Sequence, residues 1–374
     1  MNFGKINGIQ IKLHFSTMLI VALVGFYSAT FFLSLVPEAS LIDILLVGII
    51  SGMIILFSIL IHELFHSIMA QRYGLKVSEI ELYLFGGVSK IEEEPKTARS
   101  EFIISFVGPL SSLLLGVMFL VFFIVSPSTL PVWLFAIFLY SGISNIALGF
   151  FNLLPAFPMD GGRILRAFLW QRRNNLLSAT KTASRVGIFI GYSLMVYGFI
   201  QIIVLGVFGG FWLIIMGSFL RKSAKRSYIQ TVKEVSLSKI NVRDIINPLK
   251  LEIPFDMLIN DALREYFVRY KKTKFPVIRD NKITGMIDIT DIKKLPIEQR
   301  SRLYVEDMQR MLSEYPSINM EDTGKEAMRK LVQIRNHPYV VVVKEKENDD
   351  IIGFIDEQDI YLALKFCELN PQSC

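Results

Sequence analysis

Four long stretches without a charged residue lie in the first 220 positions of this 374-residue chain, and they limit its fold more than any other feature. An α-helix needs about 20 apolar residues to cross the hydrocarbon core of a bilayer. Two of the stretches are long enough to be divided into two helices each, near Ser126–Ser128 and Gly206–Gly210. The sequence therefore predicts a polytopic α-helical membrane domain with six transmembrane helices. The four stretches are Phe15–Val36, Ile44–Ile61, Phe102–Met159 and Val186–Leu220.

The remainder of the chain carries charged residues every few positions, as soluble domains do. We therefore predict a membrane domain at residues 1–226, a linker at 227–239 and a soluble α/β domain at 240–374. The soluble part is close to electrically neutral, so the net charge of +6 arises from the membrane part.

The basic residues of the membrane part indicate its orientation. Cytoplasmic loops of membrane proteins carry an excess of Lys and Arg. Six helices place every Lys and Arg before residue 228 on one side, and the opposite loops, around 37–43, 126–131 and 206–210, have none. We therefore expect both termini in the cytoplasm. Since topology accounts for the positive charge, no nucleic-acid partner is expected.

The second apolar stretch leads into the sequence His62-Glu63-Leu64-Phe65-His66. Residues four apart lie on one face of a helix, so two imidazoles at this spacing can bind one zinc ion. The glutamate beside the first histidine is then placed to take a proton from the attacking water. Ionisable residues at membrane depth are costly and point to function. The prediction is a zinc site towards the cytoplasmic face, because the second helix runs inward.

A catalytic zinc ion takes three protein ligands, and Asp160 is the candidate for the third. It ends the fourth predicted helix, which also runs inward, and it follows Pro155 and Pro158. Broken helix at membrane depth is tolerated where it is buried or lines a cavity. Asp43 lies on the second helix, but about 28 Å from His62 along the helix axis, so it cannot share the site.

The two motifs together resemble the site-2 protease family of intramembrane zinc metalloproteases. In that family, HExxH at the end of a membrane helix is followed by NxxPxxPxDGGR, which here is Asn152–Arg163. Leu84–Gly87 and Gly108–Leu110 are also similar to segments of the family. Phe65 stands where the family often has glycine. This difference concerns the packing around position 65 and not the metal ligands. The resemblance covers residues 1 to about 220.

The resemblance implies that His62, His66 and Asp160 bind zinc and that Glu63 is the catalytic base. It also implies that Asn152 positions the substrate or stabilises the oxyanion. These roles agree with what the residue types and their spacing predict for the zinc site.

The segment Glu81–Lys90 has the pattern of two short strands about a Gly-Gly turn. A helical substrate hides its peptide bonds in its own hydrogen bonds and must unwind before it is cut. We expect this hairpin to offer an edge strand to the extended substrate. The alternative is a loop without such a role.

The soluble domain contains an internal repeat. Lys282–Ile292 matches Asp350–Ile360, and Phe275–Ile278 matches His337–Val340. Each unit has the pattern strand, turn, strand, helix. The pattern resembles a tandem pair of CBS domains, at about 240–298 and 303–366.

CBS pairs often bind an adenosine nucleotide such as ATP or AMP, and the resemblance implies ribose contacts from Asp291 and Asp359. Where the family has Ser or Thr, this chain has Asp288 and Asp356. Carboxylates repel phosphate. The alternative is a CBS pair that binds no nucleotide and forms a homodimer.

Together these features predict an intramembrane zinc endopeptidase in the lipid bilayer of a prokaryotic cell membrane. Its substrate would be a membrane-anchored regulatory protein, cut within or near a transmembrane helix, with regulation by the cytoplasmic CBS pair. One alternative is a CBS-regulated transporter, which would need polar residues on several spans. The other is a catalytically inactive metal-binding scaffold.

Overall fold

The computed structural model describes residues 2–83, 86–91, 94–127, 129–206, 209–248, 251–280, 282–333, 340–344 and 351–369. The chain divides into two compact units, Met1–Thr231 and Val232–Cys374. The boundary falls inside a helix, so the residues predicted as a linker, 227–239, are helical.

The first unit consists of long helices and one small sheet. In chain order its elements are β1 (Asn2–Ile6), β2 (Ile9–Leu13), α1 (Thr17–Leu35), α2 (Leu41–Arg72), β3 (Val77–Tyr83), β4 (Gly86–Ile91), α3 (Ala98–Val125), α4 (Val132–Asn152), α5 (Asp160–Arg173), α6 (Leu176–Leu205) and α7 (Gly210–Lys239). The last of these extends into the range of the second unit.

Within the described residues, five helices are long and apolar enough to cross a membrane: α1, α2, α3, α4 and α6. They lie where the sequence predicts the first five spans, and they expose large apolar side chains such as Phe26, Leu114 and Phe199. The sixth predicted span is not confirmed. Helix α7 has only eleven uncharged residues before Arg221, or about 16 Å of helix against a hydrocarbon core of about 30 Å.

Glycine residues allow the helices of this unit to pack closely. A Cβ atom at Gly25 of α1 would lie 2.8 Å from the carbonyl oxygen of Gly48 on α2. A Cβ atom at Gly191 of α6 would lie 2.7 Å from the carbonyl oxygen of Gly217 on α7. Membrane helices pack through small residues because lipid gives no hydrophobic driving force between them. The apolar part of α7 thus packs on α6 in the manner of membrane helices.

The small sheet has the strand order β1-β2-β3-β4, with β2 and β3 parallel and the other neighbours antiparallel. Its apolar face packs on the end of α2, where Ile11, Ile80 and Leu82 are buried with Leu60 and Ala70. The predicted hairpin is confirmed as β3 and β4, and β4 is an edge strand of the sheet. The predicted Gly-Gly turn is wrong, because Gly86 and Gly87 begin β4 and pair with Tyr83 and Leu82. Residues 84 and 85, which join the two strands, lie outside the described residues.

The fourth membrane helix ends earlier than predicted. Helix α4 stops at Asn152, and the segment Leu153–Met159 forms turns and bends, with a cis peptide bond before Pro158. Proline lacks the N–H that would continue the helix, and its ring clashes with the preceding turn. Asp160 therefore does not end the fourth helix. It begins α5, a separate helix that the sequence did not predict.

The second unit contains the two predicted repeats. Its elements are α8 (Val242–Ile245), β5 (Asn247–Pro248), β6 (Ile253–Pro254), α9 (Ile259–Ala262), a π-helical turn (Leu263–Val268), β7 (Lys274–Arg279), β8 (Lys282–Asp288), α10 (Ile289–Ile292), α11 (Ile297–Arg300), β9 (Arg310–Met311), β10 (Ser317–Asn319), α12 (Gly324–Gln333), β11 (Val340–Lys344), β12 (Ile351–Asp356) and α13 (Glu357–Leu369). Short 3-10 turns occupy Val305–Asp307 and Leu312–Glu314.

Each repeat forms one four-stranded sheet, and each sheet includes one strand from the other repeat. The sheet orders are β6-β7-β8-β9 and β10-β11-β12-β5. Equivalent residues of the repeats, Ile287 and Ile355, are buried in the two separate cores. A third cluster, with Met286, Tyr315 and Val342, contains strands of both sheets. The repeated pattern of strand, turn, strand and helix is therefore confirmed for the described residues.

Candidate active site

Three candidate metal donors converge where α2 meets the start of α5. The Nε2 atoms of His62 and His66 are 3.1 Å apart, and Oδ2 of Asp160 lies 3.2 Å from the first and 3.1 Å from the second. Both histidines are buried, with 5% and 6% of their surface exposed. Among the described residues these three form a group that could hold a metal ion. The structure thus brings the three predicted zinc ligands together.

The second ring nitrogen of each histidine is held by α3. Nδ1 of His66 lies 2.6 Å from the carbonyl oxygen of Ile104, and Nδ1 of His62 lies 2.9 Å from the hydroxyl of Ser112. A carbonyl can only accept, so Nδ1 of His66 carries the proton and its Nε2 keeps a free lone pair. Such outer partners fix the tautomer and the ring orientation of metal-binding histidines.

The triangle of donor atoms fits a tetrahedral zinc ion. Zinc binds imidazole nitrogen and carboxylate oxygen at about 2.0–2.2 Å, so two of its ligand atoms lie about 3.3–3.5 Å apart in tetrahedral geometry. The observed separations of 3.1–3.2 Å are close to this spacing. Two imidazoles and one carboxylate also form a donor set found in catalytic zinc sites.

A glycine of α3 packs directly against the donor triangle. A Cβ atom at Gly108 would clash with Nε2 of His66, and it would lie 2.5 Å from Cε1 of that ring and 2.8 Å from Nε2 of His62. Real Cβ atoms do not approach other heavy atoms so closely. The absence of a side chain at this position therefore leaves room for the two rings.

The two glycines after Asp160 let α5 begin against the preceding turn. A Cβ atom at Gly161 would clash with the carbonyl oxygens of Leu153 and Leu154, and one at Gly162 would lie 2.6 Å from the backbone nitrogen of Phe157. Backbone cannot move aside as a flexible side chain can. In the Asp-Gly-Gly sequence, the aspartate supplies the metal donor, and the two glycines let the start of α5 pack closely enough to position it.

Glu63 follows His62 on α2 and faces the hairpin. A Cβ atom at Gly87 of β4 would lie 2.7 Å from Cδ of Glu63. The edge strand β4 therefore lies beside the carboxyl group of the predicted catalytic base. The pairing of substrate with this edge stays a prediction.

Asn152 is the last residue of α4 and lies eight residues before Asp160. Its side-chain amide donates to the carbonyl of Leu148 at 3.1 Å, within its own helix. The predicted contact with substrate or oxyanion remains a prediction.

In the CBS repeats, Asp291 is already engaged by two cations. Arg310 donates to its carboxylate from Nε at 2.8 Å and from Nη2 at 3.0 Å, and Nζ of Lys294 donates at 2.8 Å. Partial burial raises the pKa of Asp291, but the hydrogen bonds from Lys294 and Arg310 outweigh it and hold the pKa below its usual value. The predicted ribose contact of the first repeat is thus occupied by an internal ion pair.

Asp359 has different surroundings. Its carboxylate accepts from the backbone N–H of Asp356 at 3.1 Å, and its own N–H donates to the Asp356 carboxylate at 2.9 Å. Burial, together with the nearby negative charge of Asp356, raises the pKa of Asp359 to about 6. In the first repeat, Asp288 caps α10 by accepting from the N–H of Thr290 at 2.7 Å, which gives a structural reason for aspartate at that position.

Sequence reasoning missed the residues that support the metal donors. Ser112 is one of many serines in an apolar helix, and Ile104 acts through its backbone carbonyl, which any residue could supply. Gly108 and Gly87 were noticed only as parts of segments that resemble a family. The spacing Ile104, Gly108, Ser112 places all three on one face of α3, and this is the one signal that could have suggested them.

Comparison with known proteins supports the same class of site. Residues 51–134 and 128–197 match the model of peptidase family M50. Residues 242–298 and 305–365 match the model of the CBS domain.

Similar proteins cover nearly the whole chain. Zinc metalloprotease MJ0392 of Methanocaldococcus jannaschii is 31% identical over 374 residues, which span 98% of this chain and 97% of that protein. Stage IV sporulation protein FB of Bacillus subtilis is 31% identical over 112 residues, or 30% of this chain and 37% of that protein. The solved site-2 protease from Methanocaldococcus jannaschii is 28% identical, with a TM-score of 0.41 and coverage of 61% of this chain and 94% of that one.

The family model, the relative MJ0392 and the five membrane-length helices define the class as multi-pass membrane zinc metalloproteases. The chain belongs to peptidase family M50, the site-2 protease family, and it carries two CBS domains in its C-terminal region. Family membership favours the protease over the transporter alternative.

Proposed function

We propose that this protein hydrolyses a peptide bond within or next to a transmembrane helix of a membrane-anchored regulatory protein. The observation that carries the proposal is the donor triangle of His62, His66 and Asp160, with sides of 3.1–3.2 Å, formed partly by an apolar membrane-length helix that also bears Glu63. The three donors would hold zinc, and the family of the chain supports that choice of metal.

Glu63 would act as the general base. When bound, zinc polarises the scissile carbonyl and lowers the pKa of the attacking water towards neutrality. The Glu63 carboxylate takes a proton from the attacking water and passes it to the leaving amine. The side-chain amide of Asn152 would turn from its bond with Leu148 to hold the substrate or the developing oxyanion.

We infer that the site faces the cytoplasm and that both termini lie there. The Lys and Arg distribution supports this orientation, and it requires α7 to return through the membrane. Contacts between α6 and α7 support the return, since Gly198 meets Gly210, Gly191 meets Gly217 and Gly187 meets Ala224 in antiparallel order. Because of this pairing, the basic residues that follow the apolar part of α7 lie at the same depth as the start of the apolar part of α6.

Removal of the metal tests the proposed chemistry. The full chain, purified in detergent, is expected to contain one zinc ion and to cut members of a panel of single-span membrane proteins. Dialysis against a chelator is expected to abolish cleavage, and one equivalent of zinc to restore it, because only the loaded triangle polarises the carbonyl. Cleavage that survives loss of zinc would refute the proposal. Bound zinc without cleavage of any substrate would favour the scaffold alternative.

For the CBS pair, we propose that an adenosine nucleotide binds through Asp359 and not through Asp291, and that it regulates cleavage. The Asp291 carboxylate is engaged by Arg310 and Lys294, whereas the Asp359 carboxylate accepts from a backbone N–H. A ribose hydroxyl can share a carboxylate with one N–H more readily than it can displace a bidentate guanidinium.

Nucleotide binding can be tested by thermal unfolding of the full chain with ATP or AMP. A ligand at about 100 times its Kd stabilises the folded state by about 2.7 kcal/mol, so we expect a rise in the unfolding temperature and a change in cleavage rate. Asp359→Asn should remove both effects, and Asp291→Asn, the matched control in the other repeat, should keep them. If neither nucleotide changes unfolding or cleavage, the CBS pair has a non-binding role such as dimerisation.

A further inference from the structure

Glu101 and Arg166 form an ion pair that is almost completely buried in the membrane unit. Only 1% of Glu101 and 4% of Arg166 is exposed. Arg166 donates from Nε to Oε1 of Glu101 at 2.7 Å, and its Nη2 contacts the same oxygen. Removing two charges from water is costly, and apolar residues of similar volume would often be as stable. The pair therefore calls for an explanation other than stability.

The position of Arg166 suggests that explanation. It lies on α5, six residues after Asp160 and thus about 9 Å along the same helix. Its guanidinium also donates to the hydroxyl of Thr231 on α7 at 3.3 Å, and it lies 5.7 Å from the ring centre of Phe157, in the segment that leads to Asp160. One side chain therefore joins α5 to α3, to α7 and to the turn before the metal donor.

The partner of Arg166 lies on the helix that also supports the two histidines. Along α3, Glu101 is followed at helical spacing by Ile104, Gly108 and Ser112. Ile104 and Ser112 hold the Nδ1 atoms of His66 and His62, and Gly108 gives their rings room. The same face of α3 thus contacts all the elements that carry the donor triangle.

We propose that the Glu101–Arg166 pair is the positioning device for Asp160. It fixes α5 against α3, so that the Asp160 carboxylate is held at the distance from the two histidines that one zinc ion requires. Arg166 lies about 9 Å along α5 from Asp160 and Glu101 lies on α3, so both residues act through the placement of α5. The inference rests on the proposed function, because it assumes that the triangle binds zinc.

The test removes both charges together. A single substitution would leave a buried charge with only a longer ion pair, Arg166 with Glu94 at 3.6 Å or Glu101 with Arg163 at 3.9 Å, and loss of one partner of a buried pair is destabilising. The double variant Glu101→Leu/Arg166→Met instead replaces the pair with apolar groups of similar length. The full chain is purified in detergent, and zinc affinity is measured by competition with a chelator. We expect zinc affinity to fall about 10- to 100-fold, the range found for outer partners of metal ligands. The absorption spectrum of the Co²⁺-substituted protein should also change, because it reports the ligand geometry.

Two further variants complete the test. Arg166→Lys keeps the charge but loses the planar fork, so it should weaken zinc binding in the same direction even if the double variant does not fold. Ser105→Ala is the matched control on α3, because this buried hydroxyl has no hydrogen-bond partner among the described residues. It should leave zinc affinity and the Co²⁺ spectrum unchanged.

The outcomes separate this inference from the proposed function. Wild-type zinc affinity and an unchanged Co²⁺ spectrum in the folded double variant, or in Arg166→Lys if the double variant does not fold, would overturn the positioning role and leave the protease proposal intact. A wild type that binds no zinc would overturn the proposed function, and this inference with it. Weakened zinc binding with a changed Co²⁺ spectrum, while Ser105→Ala stays normal, would support the positioning role.

Discussion

A Glu63→Gln variant is expected to keep one zinc ion per chain and to lose about 10²- to 10⁴-fold in kcat, the contribution of a general base. Glu63 is not one of the three donor atoms, so the metal site should stay intact. Glutamine has nearly the same shape, and it can fill the space beside Gly87 without new strain. It cannot accept the proton of the attacking water, so the chemical step alone should fail.

The measurement combines zinc quantification with single-turnover cleavage of a single-span substrate in detergent. Glu38→Gln is the matched control, since it makes the same chemical change at an exposed site in the loop between α1 and α2. It should cleave as the wild type does. Two results would contradict the assigned role: a Glu63→Gln variant with full activity, or one that has lost its zinc.

Local spacing explains why the sequence could predict that the two histidines lie together. His62 and His66 lie one helical turn apart on α2, and that relation is set by the helix itself. The apolar stretches likewise predicted the first five membrane helices, because bilayer thickness dictates their length. Neither prediction required knowledge of how the helices pack.

The errors concern features that depend on packing between elements. Asp160 was expected at the end of a membrane helix, but the segment Leu153–Met159 breaks α4 and lets α5 begin with Asp160. Glu101 stands directly before an apolar stretch, and no motif in the sequence marks it. Its burial against Arg166 depends on the path of α5, which the sequence pattern does not contain.

The sixth predicted span shows the limit of hydropathy. The uncharged residues of α7 are too few to cross the hydrocarbon core alone, and charge follows from Arg221 onward. Their packing on α6 is seen only in three dimensions, through contacts such as that of Gly191 with Gly217.

A Gly108→Ala variant is expected to lose most of its zinc affinity, by about 10- to 100-fold or more. The new methyl group would clash with His66 and lie 2.8 Å from Nε2 of His62. Each ring is held at Nδ1, by the carbonyl of Ile104 and the hydroxyl of Ser112. A ring can therefore escape the methyl group only by breaking that hydrogen bond, and its Nε2 then leaves the donor triangle.

Gly116→Ala, on the same helix, separates loss of the site from general overpacking. Its methyl group would lie 2.7 Å from Cγ1 of Ile146 on α4, and overpacking of this kind costs about 1–3 kcal/mol. Both variants should therefore unfold at a lower temperature than the wild type, because both force packed helices apart. Only Gly108→Ala should require much more zinc for half-saturation in a chelator competition. Equal zinc affinity in the two variants would mean that the rings can move without loss of the triangle, and that Gly108 serves only the packing of α3 on α2.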